Sequence, residues 1–303
     1  MRAVWQSLPS CRTDSAVDRV FRQFYHHPRQ SVRNLPPRLI CPPRQFRGWC
    51  KQGGRVRLLI AIPVYNEHKY VLPVLRKVRQ FHQGDILVVD DGSTDGTSQV
   101  LRTLPDIRCI RHPTNLGYGK SLIDAFCFAR RHRYDWVITM DCDEQHEPEM
   151  IPQFVRCIES DRWDLISGSR YLEPRGDDDL PPSERRQINA TITELINQTL
   201  HLDLTDSFCG YKAHRVEAMG RVCLDESGYA FPMQLWPQVV AAGLRVTEIP
   251  VRLIYNDPNR SFGGQLDEPD NRLRHYIDVF YREVRRALPA SPCEREDPCC
   301  CAK

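Results

Sequence analysis

Two aspartates separated by one residue, Asp141 and Asp143, follow a short apolar run at 136 to 141. Carried from a strand end into the loop behind it, two carboxylates at that spacing can converge on one hard cation, and their oxygen ligands suit Mg or Mn. Capping of a following helix would account for one of the two aspartates but not for both. Three earlier stretches hold comparable chemistry: PVYNE at 63 to 67, DDGSTDGT at 90 to 97 and NLGYGK at 115 to 120. Each alone has a plain structural reading. Asp95 can cap a helix, Asp90 can cap a turn, Gly92 and Gly96 can make one, and Tyr65 can be an ordinary strand-end aromatic. Lys120 stands at a helix start, where it either meets a phosphate or points to solvent, and GYGK lacks the spacing of a phosphate-binding P-loop.

The elements that must position these residues are legible as short apolar runs alternating with helical patterns. Runs at 56 to 64, 85 to 91, 107 to 110, 136 to 141 and 164 to 169 are nearly continuous in apolar character, as strands buried on both faces require. Residues 67 to 82, 95 to 103, 118 to 132 and 147 to 160 carry apolar positions at helical spacing. Strand and helix in alternation predict an α/β fold with a mostly parallel sheet and right-handed crossovers. Ligands bind such sheets outside the carboxyl ends of the strands, and all four polar stretches fall there.

In their order along the chain, PVYNE, VVDDGSTDGT and the Asp-x-Asp at 141 to 143 resemble the inverting glycosyltransferases of family 2 over roughly residues 56 to 255. The resemblance implies a single GT-A domain at 56 to 290, a Rossmann-like sheet flanked by helices, with a nucleotide-sugar half at 56 to 165 and an acceptor half at 166 to 290. It implies that Pro63, Tyr65 and Glu67 line the base and ribose pocket, that Asp91 accepts a hydrogen bond from a base N–H with Asp90 beside it, and that Lys120 and Asp141 also serve the nucleotide. Uracil and guanine both present a ring N–H, so GDP- and UDP-linked donors stay open. With Gln145, the motif extends to Asp-x-Asp-x-Gln, which resembles the dolichyl- and polyprenyl-phosphate branch. There Asp141, Asp143 and Gln145 would hold the divalent metal. A cation bridging the donor diphosphate stabilises the charge that grows on the leaving group.

For the acceptor, DSFCGYK at 206 to 212 resembles the family's Asp-x-x-Ser-Gly-Phe-Arg element, with Cys209, Tyr211 and Lys212 as departures. The segment NDPNRSFGG at 256 to 264 resembles its Arg-x-x-Gly-x-Ser segment and makes Arg260 a candidate. A sugar hydroxyl must lose a proton as it attacks, whereas a lipid monophosphate, with a second pKa of about 6, is already mostly ionised. A phosphate acceptor needs positive charge instead, and Arg170, Lys212 and Arg260 would supply it. Asp206 is either a general base or a support for the acceptor loop. With Asp143 and Arg170 it completes the candidate catalytic set. The expectation is a metal-dependent transfer of a sugar onto a polyprenyl phosphate. The alternatives are a family 2 enzyme acting on a hydroxyl, or a nucleotide-sugar-binding module without turnover. Gln234 is followed by Leu235 and Trp236, so the QxxRW signature of processive polysaccharide synthases is absent.

At 303 residues, 41% hydrophobic and 27% charged, the composition is that of a globular protein. No apolar stretch approaches the roughly 20 residues that cross a bilayer, and the first residues lack a secretory signal pattern, so a cytoplasmic protein is expected. The 13 cysteines include no CxxC pair and read as reduced and structural, with no zinc site. Residues 1 to 55 carry ten arginines and one lysine against two aspartates, a net +9 that leaves −6 for the remainder. This Pro/Arg-rich extension is a solvated tail or an electrostatic anchor for anionic lipid at the inner membrane face. No nucleic-acid-reading motif accompanies it, and no nucleic acid is expected. Residues 272 to 288 form a basic amphipathic pattern that either packs on the domain or lies in a membrane interface. The Cys-rich tail at 291 to 303 has only an outline of a lipidation motif at Cys300.

Overall fold

The computed structural model describes residues 56–173, 176, 178–255 and 263–288. The basic extension, the Cys-rich tail and Arg260 lie outside the described residues.

Strand β1 (Leu58–Val64) is followed by α1 (Val71–Phe81), β2 (Asp85–Asp90), α2 (Thr97–Arg102), β3 (Arg108–Arg111), α3 (Tyr118–Arg131) and β4 (Trp136–Thr139). A 3₁₀ turn at Pro148–Met150 leads into α4 (Ile151–Glu159), then β5 (Leu165–Ser169) and α5 (Ser183–Leu200). The chain continues through β6 (Lys212–Arg215), α6 (Val216–Met219), α7 (Phe231–Ala241), β7 (Val246–Pro250) and α8 (Pro269–Ala287). The seven strands form one sheet in the order β3-β2-β1-β4-β6-β5-β7. The expected α/β fold with a mostly parallel sheet is therefore borne out.

Side chains alternate across a strand, so β1 feeds two cores at once. Ile60 and Ile62 pack with Val71, Val74 and Val78 of α1 and Phe154 of α4. Leu59 and Ala61 face the other way, against Leu87, Val89 and the small Ala125 and Ala129 of α3. Burial on both faces explains why these strands are apolar runs rather than alternating ones. A third core joins α5, α7 and α8 through Ile192, Ile196, Trp236, Val239, Leu273 and Phe280.

The apolar runs announce neither β7 nor, nearer the site, β6. It pairs antiparallel with both β4 and β5, Thr139 opposite Lys212 and Ser167 opposite Lys212. Its start therefore lies beside the carboxyl end of β4, which carries the DSFCGYK turn to the edge where Asp141 and Asp143 emerge. β1 and β2 run parallel and level, Val64 opposite Asp90, so their loops open on the same edge.

The apolar stripe of α8 is used internally. Leu273, Tyr276, Ile277, Val279 and Phe280 are buried. This is the packed fate of the amphipathic pattern, and it leaves no wide apolar face on α8 for a lipid interface.

Candidate active site

The loops behind β1 and β2 are stapled together. Asn66, at φ 57°, receives Thr94 N–H on its side-chain oxygen at 2.8 Å and donates its own N–H to Ser93 Oγ at 3.0 Å. Asp95 accepts His68 N–H at 3.0 Å and Thr97 N–H at 3.0 Å. The GSTD residues thus serve the loop itself. This leaves Pro63, Tyr65 and Glu67 lining a cleft of about 790 Å³ that runs along the carboxyl edge of the sheet. Tyr65 is 43% exposed, its ring open to an incoming group.

Asp90 and Asp91 part ways at the end of β2. Asp90 is fully buried, accepts Ser93 N–H at 2.9 Å and bonds Ser98 Oγ. It therefore caps the turn and does not line the cleft. Asp91 does line it, and its carboxylate takes Leu116 N–H at 2.8 Å and Gly117 N–H at 2.9 Å. Gly117 has φ 107°, and a Cβ there would meet Ser227 O at 2.3 Å, so glycine alone lets this loop close on both Asp91 and the 226–228 segment. Lys120 does not line the cleft; its Nζ lies 2.5 Å from Asp124 Oδ1, one helical turn along.

Asp141, Asp143 and Gln145 all line the cleft. Tyr118 donates to Asp141 Oδ1 at 3.1 Å, and its ring stacks on Tyr229 at 5.9 Å. Burial, then the Asp141 charge, pushes the Tyr118 hydroxyl well above its ordinary pKa, so it stays a donor. Asp141 N–H donates to His146 Nδ1 at 2.9 Å, and Gln145 N–H to Asp143 Oδ1 at 3.1 Å. These contacts shape the Asp-x-Asp-x-Gln turn, while the Cys142 side chain is buried in the core. Gly210 packs against the same spot: a Cβ there would lie 2.6 Å from Tyr118 Oη and 2.8 Å from Asp141 Oδ2 and would push those two side-chain ends aside.

The far half of the cleft is basic and apolar. Arg170, Arg185 and Arg272 line it with Ile188, Phe208, Leu253 and Leu266. Arg170 makes a bidentate pair with Asp206, which is fully buried and also accepts Asn189 Nδ2 at 3.0 Å. Burial alone would raise the Asp206 carboxyl; the Arg170 guanidinium and these hydrogen bonds outweigh it and hold the pKa at about 2. Asp206 does not reach the cleft, so its geometry is that of a support. Lys212 lies behind the site too. Pairing of β6 turns its side chain inward, where Nζ donates to Ser167 Oγ at 2.7 Å and sits 5.1 Å from the Trp236 ring centroid. Its burial lowers the ammonium pKa.

Arg185, Arg272 and Tyr118 were not anticipated as site residues. The first two sit on α5 and α8, outside the motifs, and only the packing of those helices on the sheet brings them to the cleft.

The glycosyl transferase family 2 model matches residues 59–222. The chain belongs to glycosyl transferase family 2. The chain is 30% identical to the undecaprenyl-phosphate mannosyltransferase of Micrococcus luteus over 214 residues, covering 68% of this chain and 87% of that protein. It is 31% identical over 204 residues to the polyprenol monophosphomannose synthase of Mycolicibacterium smegmatis, covering 64% and 76%. Among solved structures, the fold is similar to glucosyl-3-phosphoglycerate synthase from Mycobacterium tuberculosis in complex with Mn2+, UDP and phosphoglyceric acid. That match has a TM-score of 0.59 and 18% identity, covering 76% of this chain and 79% of that one. The resemblance carried by PVYNE, DDGSTDGT and the Asp-x-Asp is thereby borne out, and the chain is a glycosyltransferase. In this family 2 chain the matched region ends at Val222, so Arg272 lies beyond it and Arg185 within it.

Proposed function

We propose that this family 2 glycosyltransferase transfers a sugar from a GDP- or UDP-linked donor onto a polyprenyl phosphate. One observation carries the acceptor: among the described residues, the acceptor half of the cleft has Arg170, Arg185 and Arg272 on its wall, whereas the carboxylates that line the cleft, Glu67, Asp91, Asp141 and Asp143, belong to its other half. Guanidinium groups recognise a phosphate, and an ionised phosphate needs no base to attack. Ile188, Phe208, Leu253 and Leu266 beside them suit an isoprenoid chain. Two relatives named for undecaprenyl phosphate and polyprenol substrates support the same reading.

On the donor side, Pro63, Tyr65 and Glu67 would hold the nucleoside and Asp91 would accept a base N–H. Among the described residues no group of three His, Cys, Asp or Glu side chains is arranged to bind a metal. Two carboxylates and an amide oxygen nevertheless fit Mg or Mn, which commonly take one or two protein carboxylates and complete their shell with substrate phosphates and water. Asp141, Asp143 and Gln145 would hold the ion, which supplies Lewis-acid stabilisation of the departing diphosphate. Tyr118 fixes Asp141 by donating to one of its oxygens. Arg170, itself fixed by Asp206, would orient the acceptor phosphate for attack. No helix among the described residues is long and apolar enough to cross a membrane. A peripheral position at the cytoplasmic membrane face, with the basic extension as its anchor, fits a lipid substrate.

The test is incubation with labelled UDP- and GDP-sugars, Mn or Mg, and one of three acceptors: polyprenyl phosphate, the neutral polyprenol, or a soluble sugar. Label entering the organic phase with the phosphate alone supports the proposal. Product with the neutral lipid or soluble sugar selects the hydroxyl-directed reading, and nucleotide binding without product under any condition selects the binding module.

A further inference from the structure

His112, just past β3, has each ring nitrogen facing a carboxylate. Nδ1 lies 2.7 Å from Asp91 Oδ1, and Nε2 lies 2.9 Å from Asp124 Oδ2. Both contacts are hydrogen bonds only when both nitrogens donate, that is, in the imidazolium form. Asp124 is held in turn by Lys120 across one turn of α3. The four side chains, Asp91, His112, Asp124 and Lys120, form a connected row that ends at the cleft. Arg111, beside His112, turns to Asp90 at 3.6 Å, and Arg130, Arg131 and His132 line a separate groove on the outer side of Asp124.

We propose that His112 is a positioning residue for the donor nucleotide, holding the Asp91 carboxylate in the orientation that keeps an acceptor lone pair of Oδ2 toward the cleft. Oδ1 is saturated by His112 and Leu116 N–H, whereas among the described residues Oδ2 has Gly117 N–H as its only hydrogen-bond donor. A carboxylate has about four acceptor sites, so the capacity that remains on Oδ2 is available to a base N–H. Without His112, Asp91 is tied only by the two backbone donors of a glycine-containing loop. Lys120, placed where a phosphate contact was expected, is instead the outer end of this row.

The inference rests on the β2 end of the cleft being the nucleobase side, and the experiment separates the two. Calorimetric binding of UDP, GDP and inorganic pyrophosphate, with Mn present, is compared for wild type, His112→Ala, Asp91→Asn and the double variant. The expected result for His112→Ala is a loss of about tenfold in affinity for whichever nucleotide the wild type binds, the scale of one charge-assisted hydrogen bond, with pyrophosphate within about twofold. The double variant should bind no more than about twofold weaker than Asp91→Asn alone, because the two residues act through one interaction. If His112→Ala does not fold, Asp124→Asn serves in its place, with a smaller loss in the same pattern. Unchanged nucleotide affinity, equal loss for pyrophosphate, or additive losses in the double variant would overturn the role of His112. A wild type that binds pyrophosphate but neither nucleotide would overturn the nucleotide reading, and the inference with it.

Discussion

Arg170 and Asp206 face each other through two parallel hydrogen bonds, Nε to Oδ2 at 2.6 Å and Nη2 to Oδ1 at 2.9 Å, with the carboxylate fully buried and the guanidinium at the wall of the cleft. The pair converts a charge that could have served as a base into the anchor of a charge that faces substrate. Asp206 receives Arg170 N–H, Phe208 N–H and Cys209 N–H as well, each at 3.2 Å, so it also holds the acceptor turn closed.

This arrangement has a pH signature. The folded-state pKa of Asp206, about 2, lies below the unfolded value of about 3.9. A depressed carboxylate contributes stability that is complete above the unfolded pKa and is lost as pH falls through the folded one. Melting temperature should therefore fall between about pH 4 and pH 2, and the fall should be shallower in Asp206→Asn. That variant should itself be destabilised by about 3 to 5 kcal/mol at neutral pH, since it leaves a mostly buried guanidinium without its counter-charge. Calorimetric melts across this range are the check, and equal slopes for the two proteins would reject the assignment.

The same pair makes Arg170→Ala a poor probe of the acceptor, because it strands Asp206. Arg185 is the cleaner choice. It lines the cleft from α5, with its guanidinium 5.5 Å from the Tyr255 ring centroid. Arg185→Ala should raise the KM for polyprenyl phosphate by roughly tenfold or more, the loss of one charge-assisted contact worth about 1.5 to 3 kcal/mol. Donor KM should move by less than about twofold. A matching loss on the donor side would move Arg185 out of the acceptor half.

The parts of the fold that could be read from the sequence are those whose residues report their own surroundings. Leu58 to Val64 is apolar throughout because both faces of β1 are buried, and that pattern needs no tertiary information. β6 is the opposite case. Lys212-Ala213-His214-Arg215 begins and ends on a charge, yet Lys212 and His214 are buried, Lys212 donating to Ser167 Oγ beside the Trp236 ring and the His214 ring packing edge-on to Phe126. Nothing in four residues announces a reversed strand. Without it, Lys212 reads as an exposed base of the acceptor turn. The site divides in the same way. Asp91, Asp141 and Asp143 were legible because strand ends converge by topology. Arg185 and Arg272 were not, because α5 and α8 reach the cleft only through packing of Ile192, Trp236 and Phe280.

A second pair of neighbours tests the metal. Asp143 and Cys142 both border the cleft, but the Cys142 side chain, 2% exposed, packs into the hydrophobic core with Met140 and Phe154. Asp143→Ala should lower transfer by about a hundredfold or more, because a bound cation stabilises the leaving group by several kcal/mol. Cys142→Ala should cost about 1 kcal/mol of stability through a small cavity and leave turnover close to normal. Excess chelator should abolish transfer by the wild type, and added Mn or Mg should restore it. Transfer that survives chelation, or an active Asp143 variant, would reject the ion.

The charges of α8 bear directly on membrane recruitment. Its arginines are largely spoken for: Arg272 donates to Glu184 at 3.1 Å, Arg282 to Glu226 at 3.0 Å, and Arg286 to Asp225 at 2.9 Å. With its apolar stripe in the core and these charges paired, α8 offers an anionic surface little beyond Arg274 and Arg285. Residues 1 to 55 set eleven basic residues against two aspartates, a net +9. At about 1 kcal/mol for each basic residue near an anionic bilayer, that extension dominates the electrostatic attraction. Removing residues 1 to 50 should therefore abolish most of the binding to anionic vesicles while leaving donor hydrolysis unchanged, as the deletion ends before β1. Binding of the full chain should weaken strongly at high salt, because exposed charges are screened within about 10 Å at 0.1 M and about 3 Å at 1 M. Co-sedimentation of both proteins with anionic and neutral vesicles at low and high salt is the measurement. A truncated protein that binds as well as the full chain would transfer the role to the unpaired charges of α8, and equal binding to neutral vesicles would reject electrostatic recruitment altogether.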